Sequence, residues 1–225
     1  MKLCGNIPLV CVPGTWAWSG MKTKDRWYMA GSPWVNFMES NGYKVLSKDR
    51  PFVWTTALAG IPFVTSKRDW EAAGVNLWAY LDPAIKDYGV GLRTGERNLV
   101  AHSHGLQVAV YAAAAGCKLN TLISVGSPIR EDMKEVAVAA RPNIANWAHL
   151  YGGHKDKWQW FGEMFDGKLG VVRTAIWRGQ NGRPVAQADV SVEIPCVGHS
   201  DLLYTPSEFH HWLEPRVAEY IRGAR

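Results

Sequence analysis

The chain has few of the features that mark membrane, nucleic-acid-binding or multi-domain proteins. Its apolar runs fall short of the roughly 20 residues that a helix needs to cross a bilayer. Basic residues exceed acidic ones by only five (25 against 20) and are scattered among them, so no nucleic-acid-binding stripe is predicted. No internal repeat or low-complexity linker divides the sequence. With 225 residues, 47% of them hydrophobic, residues 1–225 are expected to form one globular domain.

Cysteine is also scarce, with four residues and no pair at a spacing typical of a metal site. Buried free thiols are the simplest interpretation, and they favour a reducing compartment. The run at 3–12 is only superficially similar to a secretion signal, because Asn6 and Pro8 interrupt it and no convincing cleavage site follows. We therefore expect a cytoplasmic protein, while release without a signal would leave no trace in the sequence.

The most informative segment that is present places a serine between a strand and a helix. Leu99–Ala101 is predicted to end a buried strand, and the alanine-rich run 106–115 to form a helix. The turn between them, Ala101-His-Ser-His-Gly105, nearly matches the G-x-S-x-G nucleophile elbow, with alanine in place of the first glycine. Ser103 is therefore the candidate nucleophile. The alternative is a surface turn that carries serine and histidine without using them.

A histidine follows the last predicted strand. Val190–Val197 alternates and is rich in β-branched residues, which favours a strand. Further on, Thr205 suits a helix N-cap and Pro206 the first helical position, so a final helix is predicted to about Arg222. His199 lies in the loop between this strand and this helix. From such a loop an imidazole can reach a serine on a neighbouring strand and act as its general base.

A carboxylate is available in a third loop. Asn146–Tyr151 is predicted as a strand, and Asp156 lies in the loop that follows it. Its carboxylate would orient the histidine and stabilise the imidazolium. Asp132, in the loop after the predicted strand Leu119–Val125, and Asp166 are alternatives for this role.

In its order Ser103…Asp156…His199, the chain resembles the α/β-hydrolase superfamily, and within it the serine esterases and lipases. The run Ile7–Thr15 resembles the strand and oxyanion loop that open such domains, and Tyr43–Leu46 resembles the next strand. The resemblance implies an α/β fold with a mostly parallel central sheet of about six strands flanked by helices, a compact form that lacks the first two strands of the family. No metal and no cofactor are expected.

The resemblance also implies two backbone donors that stabilise an oxyanion. One is the N–H of the residue after the nucleophile, here His104. The other comes from the first loop, which by position means Thr15, with Trp16 as the alternative. Such lipases usually carry His-Gly where this sequence has Pro13-Gly14, so the second donor stays open between these two residues.

Tryptophan is unusually abundant, with 12 residues. Trp16 and Trp18 follow the oxyanion loop and Trp158 follows the proposed acid, so these three are candidates for a substrate-binding cleft. Trp34 and Trp78 are expected in the core, because both lie on apolar helix faces. An aromatic cleft suits a small-molecule or lipid-like ester, and a lipid, aryl, thio or polysaccharide ester would all fit. The sequence predicts no oligomeric state.

Two segments, 51–74 and 157–187, are candidates for a lid or cap over the cleft, the alternative being that they pack against the flank of the sheet. The predicted reaction is hydrolysis of an ester through an acyl-enzyme on Ser103. A metal hydrolase with His102 and His104 as paired ligands is disfavoured, because the residues that follow do not continue the H-x-H-x-D-H motif. A catalytically inactive binding or structural module is the other alternative, and its support is the alanine at 101 together with Pro13-Gly14 in place of His-Gly.

Overall fold

The structure, a computed structural model, describes residues 7–14, 26–54, 67–85, 87–152, 176–178, 180–194, 198 and 203. Strands and helices alternate along these ranges for most of their length. The strands are β1 (Ile7–Val12), β2 (Tyr43–Val45), β3 (Asn98–His102), β4 (Leu119–Val125), β5 (Ile144–Gly152), β6 (Ile176–Arg178), β7 (Pro184–Gln187) and β8 (Val190–Ile194). The helices are α1 (Pro33–Ser40), α2 (Lys67–Leu81), α3 (Gly105–Ala114) and α4 (Lys134–Ala140).

Six of the strands form one parallel sheet in the order β2-β1-β3-β4-β5-β8. Parallel neighbours must be joined by crossover connections, and α1 to α4 lie in turn between the first five strands of this sheet along the chain. The expected fold class, an α/β fold with a mostly parallel sheet of about six strands flanked by helices, is confirmed. The other two strands, β6 and β7, pair with each other as an antiparallel hairpin.

Helices cover both faces of the sheet. On one face β3 and its neighbours pack against α2, α3 and α4, in a core that includes Trp70, Leu77 and Leu106. On the other face the core is built on α1 and includes Trp34 and Met38. Because both faces are covered, all five residues of β3 are buried. This double burial explains why the central strands appear in the sequence as continuous apolar runs.

The helix starts follow from local sequence. The Ser32 side chain caps α1 by accepting a hydrogen bond from the Val35 N–H at 3.1 Å, and Pro33 occupies the first helical position. Trp34 is fully buried, as its helix face predicted, and Trp78 is partly buried against the core. None of the described helices is both long and apolar enough to span a membrane.

The described parts of the two candidate lids pack against the flank of the sheet. Residues 67–74 form the first turns of α2. Trp177 of the β6–β7 hairpin packs on Trp147, with ring centroids 5.7 Å apart, and its indole N–H donates to the carbonyl oxygen of Arg130 at 2.9 Å. The sequence did not predict this hairpin or α4. The rest of both candidate lids, except for 51–54, lies outside the described residues.

Both cysteines within the described ranges are buried and free, which confirms the expectation for these two. Cys11 lies in β1, and Cys117 lies between α3 and β4. Burial raises the pKa of the Cys117 thiol to about 11, although the Arg97 guanidinium, 3.7 Å from the sulfur, acts to lower it. Burial also raises the pKa of Cys11. Cys4 and Cys196 are outside the described residues.

Candidate active site

Ser103 follows the last residue of β3 at the carboxyl edge of the sheet, with a backbone φ of +53°. A non-glycine residue in this left-handed region costs roughly 1–2 kcal/mol, so it persists only where its surroundings hold it. One such constraint is the Ser103 N–H, which donates to the Val125 carbonyl at the end of β4, 3.1 Å away. The sharp turn between β3 and α3 is therefore strained in the way that a nucleophile elbow requires.

Two glycines allow other backbone segments to approach this turn. A Cβ on Gly105 would lie 2.3 Å from the Val12 carbonyl oxygen and 2.9 Å from that of Pro13, both fixed main-chain atoms. A Cβ on Gly14 would lie 2.7 Å from the Cβ of Ser103 and 3.3 Å from its Oγ. The loop after β1 thus passes directly against Ser103, the candidate nucleophile. Both close approaches need glycine, which has no side chain to displace.

The alanine that replaces the first glycine of the motif does not disturb this turn. Ala101 lies within β3, paired with Val12 of β1 on one side and with Ser124 of β4 on the other. Its methyl group is fully buried in the core that faces α2 and α3. Ser103, two residues later, still adopts the left-handed conformation. The departure from G-x-S-x-G is therefore compatible with an intact elbow.

His104, the residue after the candidate nucleophile, is the N-cap of α3. Its carbonyl oxygen accepts the Gln107 N–H at 3.1 Å, which forms the first turn of the helix. Its imidazole packs against the indole of Trp70 in α2, with ring centroids 5.3 Å apart and an angle of 34° between the planes. The backbone at this position lies at the positive end of the α3 dipole, where a developing negative charge is stabilised.

The first loop is held by an aromatic side chain from another part of the chain. The indole N–H of Trp54 donates to the Pro13 carbonyl at 2.8 Å, and Trp54 is only 6% exposed. The description of this loop ends at Gly14. The candidate second donors Thr15 and Trp16, and the candidate substrate-binding Trp18, lie outside the described residues.

The predicted acid and base also lie outside the described residues, but the strands that lead to them are defined. Gly152 at the end of β5 pairs with Ile194 at the end of β8. The two loops that carry Asp156 and His199 therefore begin side by side on the edge of the sheet where Ser103 lies. Trp158 and Asp166 are likewise not among the described residues.

Asp132, the alternative acid, is part of an ion-pair cluster. Its carboxylate accepts hydrogen bonds from Arg130 Nε at 2.9 Å and Arg130 Nη2 at 3.0 Å, and the Lys67 ammonium lies 3.7 Å away. Partial burial acts to raise the pKa of the Asp132 carboxyl, but the hydrogen bonds and charge of Arg130, with the charge of Lys67, lower it below its usual value. Asp132 is therefore an ionised carboxylate whose two oxygens are already bound.

Arg130 joins this cluster to the turn between β3 and α3 that contains Ser103 and His104. Its guanidinium lies over the indole of Trp70, with 5.0 Å between its central carbon and the ring centroid. The same indole contacts His104, so α2 and the loop after β4 together support the residue that follows Ser103. Sequence reasoning missed Trp70 and Arg130. The available signal was the position of Arg130 just after β4, beside the end of the nucleophile strand.

A second polar cluster lies buried between β4 and β5. His149 Nδ1 is 2.8 Å from Ser124 Oγ, which also accepts the indole N–H of Trp147 at 3.1 Å. His149 is 1% exposed and its ring stacks on Tyr151 at 5.5 Å, and among the described residues its Nε2 has no hydrogen-bond partner. Burial lowers the pKa of His149 to about 3, so the imidazole is neutral at neutral pH.

The two histidines around Ser103 contact opposite faces of the sheet. The His102 ring meets Trp27 edge to face at 6.2 Å, in the core built on α1, whereas His104 meets Trp70 in the other core. This divergence argues against their use as paired metal ligands. Across the part of the chain that the structure describes, no three or more His, Cys, Asp or Glu side chains are grouped to hold a metal ion.

No protein-family model matches this chain, and no curated protein matches it.

Proposed function

We propose that this protein is a serine hydrolase with an α/β-hydrolase-like active site, which cleaves a carboxylic ester through an acyl-enzyme on Ser103. The observation that carries the proposal is the left-handed backbone of Ser103 in a strand-to-helix turn, against which the first loop packs at Gly14. A strained serine at the carboxyl edge of a parallel sheet is the geometry that exposes a hydroxyl to a substrate carbonyl.

In the proposed reaction, Ser103 Oγ attacks the ester carbonyl carbon while His199 takes the hydroxyl proton. The backbone N–H groups of His104 and Thr15 (or Trp16) stabilise the negative charge on the carbonyl oxygen. Collapse of this intermediate breaks the bond to the alkoxy group, which leaves as an alcohol with the proton from the histidine. A water molecule activated by the same histidine then releases the acid and restores the serine.

The strand order supports His199 as the base. β8 lies three strands from β3, which is roughly 14 Å at the usual strand spacing of about 4.8 Å. The five Cα–Cα steps from Ile194 to His199 span up to roughly 17 Å when extended. The loop after β8 is therefore long enough to bring an imidazole to Ser103 across the intervening strands.

Asp156 is favoured over Asp132 as the carboxylate that orients this histidine. The β5 end that precedes Asp156 is adjacent to the β8 end that precedes His199. Asp132 instead follows β4 and is bound on both oxygens by Arg130, with Lys67 nearby. A histidine would have to compete with two cations for that carboxylate, which makes Asp132 better suited to supporting the turn at His104.

The substrate class follows from the predicted cleft. Trp16 and Trp18 follow β1 in the sequence and Trp158 follows β5, and both strands end at the carboxyl edge of the sheet, where open α/β folds bind ligands. Aromatic walls favour a small-molecule or lipid-like ester over a charged polymer. No metal, cofactor or nucleic acid takes part in the proposed reaction. A cytoplasmic location belongs to the same proposal, on the evidence of the two buried free thiols.

Labelling with a fluorophosphonate, which reacts with activated serines, tests the proposal. Wild-type protein is expected to be labelled at Ser103, and Ser103→Ala should lose both labelling and ester hydrolysis while its unfolding midpoint stays near that of wild type. Ser127→Ala is the matched control, because Ser127 is a buried serine on the neighbouring loop (1% exposed) that donates to main-chain carbonyls. A folded wild-type protein that is neither labelled nor active on short esters would contradict the proposal and leave the inactive binding module in its place.

A further inference from the structure

The loop that approaches the nucleophile is anchored by a hydrogen bond that the reaction scheme does not use. We infer that Trp54 is a positioning residue for the oxyanion site, acting through its indole N–H on the Pro13 carbonyl, an inference that rests on the proposed function. The bond is 2.8 Å long, buried, and joins residues 41 positions apart in the sequence. A buried hydrogen bond of this kind fixes the direction of the carbonyl that accepts it.

The direction of the Pro13 carbonyl sets the direction of the next backbone N–H. The peptide bond between Pro13 and Gly14 is planar and trans, so its C=O and N–H point to opposite sides. Fixing the Pro13 oxygen therefore orients the Gly14 N–H and the point from which the chain continues to Thr15. Gly14 also lies close against Ser103, since a Cβ there would lie 2.7 Å from the serine Cβ.

The Pro13 carbonyl is confined on a second side by α3. A Cβ on Gly105 would lie 2.9 Å from the Pro13 oxygen, which shows how closely this carbonyl approaches the start of the helix. The proline ring fixes its own φ near −65°. Between the proline ring, the helix start and the Trp54 indole, the peptide group has little freedom to rotate. Of these three constraints, the indole is the one that a substitution can remove without replacing any residue of the first loop or of the elbow.

The residues that lead to Trp54 are held in place by α2. The Tyr80 hydroxyl donates to the Arg50 carbonyl, and the Tyr80 ring packs against Phe52 with centroids 5.4 Å apart. Residues 50–54 are thus bound to a helix of the core, and Trp54 is 6% exposed within the same apolar cluster as Trp70. The contacts that hold the first loop therefore run from α2 through residues 50–54 to the Pro13 carbonyl. Trp54 is the fourth residue of the segment 51–74, which the sequence presented as a candidate lid.

Oxyanion stabilisation is a transition-state interaction, so its loss should lower kcat and leave KM nearly unchanged. Removing a whole oxyanion donor lowers kcat by about 100- to 1,000-fold. A donor that is present but less well oriented should lose less, and we expect Trp54→Phe to lower kcat about 10- to 100-fold. Phenylalanine keeps most of the apolar ring and removes only the N–H and part of the volume.

The experiment uses wild type, Trp54→Phe and Trp147→Phe. For each protein, kcat and KM are measured with p-nitrophenyl butyrate as the substrate, and the inhibition constant is measured for an aryl trifluoromethyl ketone. The ketone forms a tetrahedral oxyanion adduct with an activated serine, so its affinity should fall in parallel with kcat in Trp54→Phe. Trp147→Phe is the matched control, because it also removes a buried indole N–H bond, to Ser124 in the middle of the sheet. Rates are normalised to the folded protein that a fluorophosphonate titrates.

The inference is overturned if Trp54→Phe keeps wild-type kcat and ketone affinity, or if it loses no more of either than Trp147→Phe does. A loss confined to KM would also contradict it, because it would place Trp54 in ground-state binding. If Trp54→Phe is too unstable to assay, Trp54→Tyr takes its place. Tyrosine fills more of the volume of the indole but places its donor elsewhere, so this variant must show the same fall in kcat. Absence of any serine labelling in wild type would refute the proposed function instead, before Trp54 is tested.

Discussion

Acidification should destabilise this fold through His149. The imidazole is buried, stacked on Tyr151 and hydrogen-bonded to Ser124, and burial lowers its pKa from 6.5 to about 3. Above about pH 6.5 neither the folded nor the unfolded chain carries a proton on this residue, so its contribution to stability is constant. Below that pH the unfolded chain binds a proton that the folded protein does not, and the free energy of unfolding falls. The loss continues until the pH reaches the folded pKa.

The size of this effect follows from the two pKa values. Each unit of pH between them removes about 1.4 kcal/mol from the free energy of unfolding. From pH 7 to pH 5 the integrated loss is about 2 kcal/mol, less than the full slope over two pH units, because the unfolded histidine is only partly protonated at the start of that range. A loss of this size is a substantial part of the 5–15 kcal/mol that typically stabilises a domain.

The assay is urea unfolding at pH 7, 6 and 5, followed by tryptophan fluorescence, for wild type and His149→Phe. Phenylalanine keeps a ring against Tyr151 but cannot bind a proton, and Ser124 can donate to the Ala148 carbonyl, 3.4 Å away in the structure. The variant should lose about 2 kcal/mol less than wild type between pH 7 and pH 5. Other titrating groups cancel in this difference.

Ser124→Ala is the control, because it removes the hydrogen-bond partner and leaves the histidine able to titrate. It should lower stability at every pH without flattening the acid dependence. Equal acid dependence in wild type and His149→Phe would refute the reasoning, because it would mean that His149 is protonated in the folded protein as readily as in the unfolded chain.

The other predictions concern the elbow, the acid and the thiols. Gly105→Ala should destabilise the protein by roughly 3 kcal/mol or more and abolish fluorophosphonate labelling, while Gly95→Ala, with open space around its Cβ, should be nearly neutral in urea unfolding. Asp156→Asn should lower kcat at least 100-fold, whereas Asp132→Asn should stay within a few-fold of wild type; the reverse order in steady-state assays would move the acid to the loop after β4. The two buried cysteines should resist iodoacetamide in the folded protein and react in urea, as mass spectrometry can show.

Much of the fold was predictable because its signals are local. The apolar runs of β1, β3, β4 and β5 are long enough to identify, since a strand covered on both faces needs no alternation. Ser32-Pro33 marks the start of α1 through capping and a fixed φ. The elbow was also local, because a serine in a left-handed turn needs small residues close to it in sequence, and Gly105 is one of them.

The β6–β7 hairpin and α4 were missed for a complementary reason. Each is short, and the residues 176–187 carry few apolar side chains apart from Trp177, which is buried only because Trp147 and the Arg130 carbonyl lie opposite it. Short elements of this kind are stabilised by the surface on which they pack and not by their own pattern. That surface is formed by residues distant in the sequence, so no short stretch of sequence around these elements indicates it.

The sequence by itself determined the parallel α/β architecture and the position of Ser103 between a strand and a helix, because periodicity, capping and turn chemistry act over a few residues. The tertiary structure alone decided which distant side chains support that serine. Trp54 reaches Pro13 beside that serine across 41 residues. In the interior of the sheet, His149 likewise reaches Ser124 across 25 residues, because β4 and β5 are neighbouring strands. It also bound both carboxylate oxygens of Asp132 to Arg130. Burial keeps His149 neutral, since desolvation depends on every segment that excludes water from it, whereas the charges of Arg130 and Lys67 keep Asp132 ionised against the effect of its partial burial.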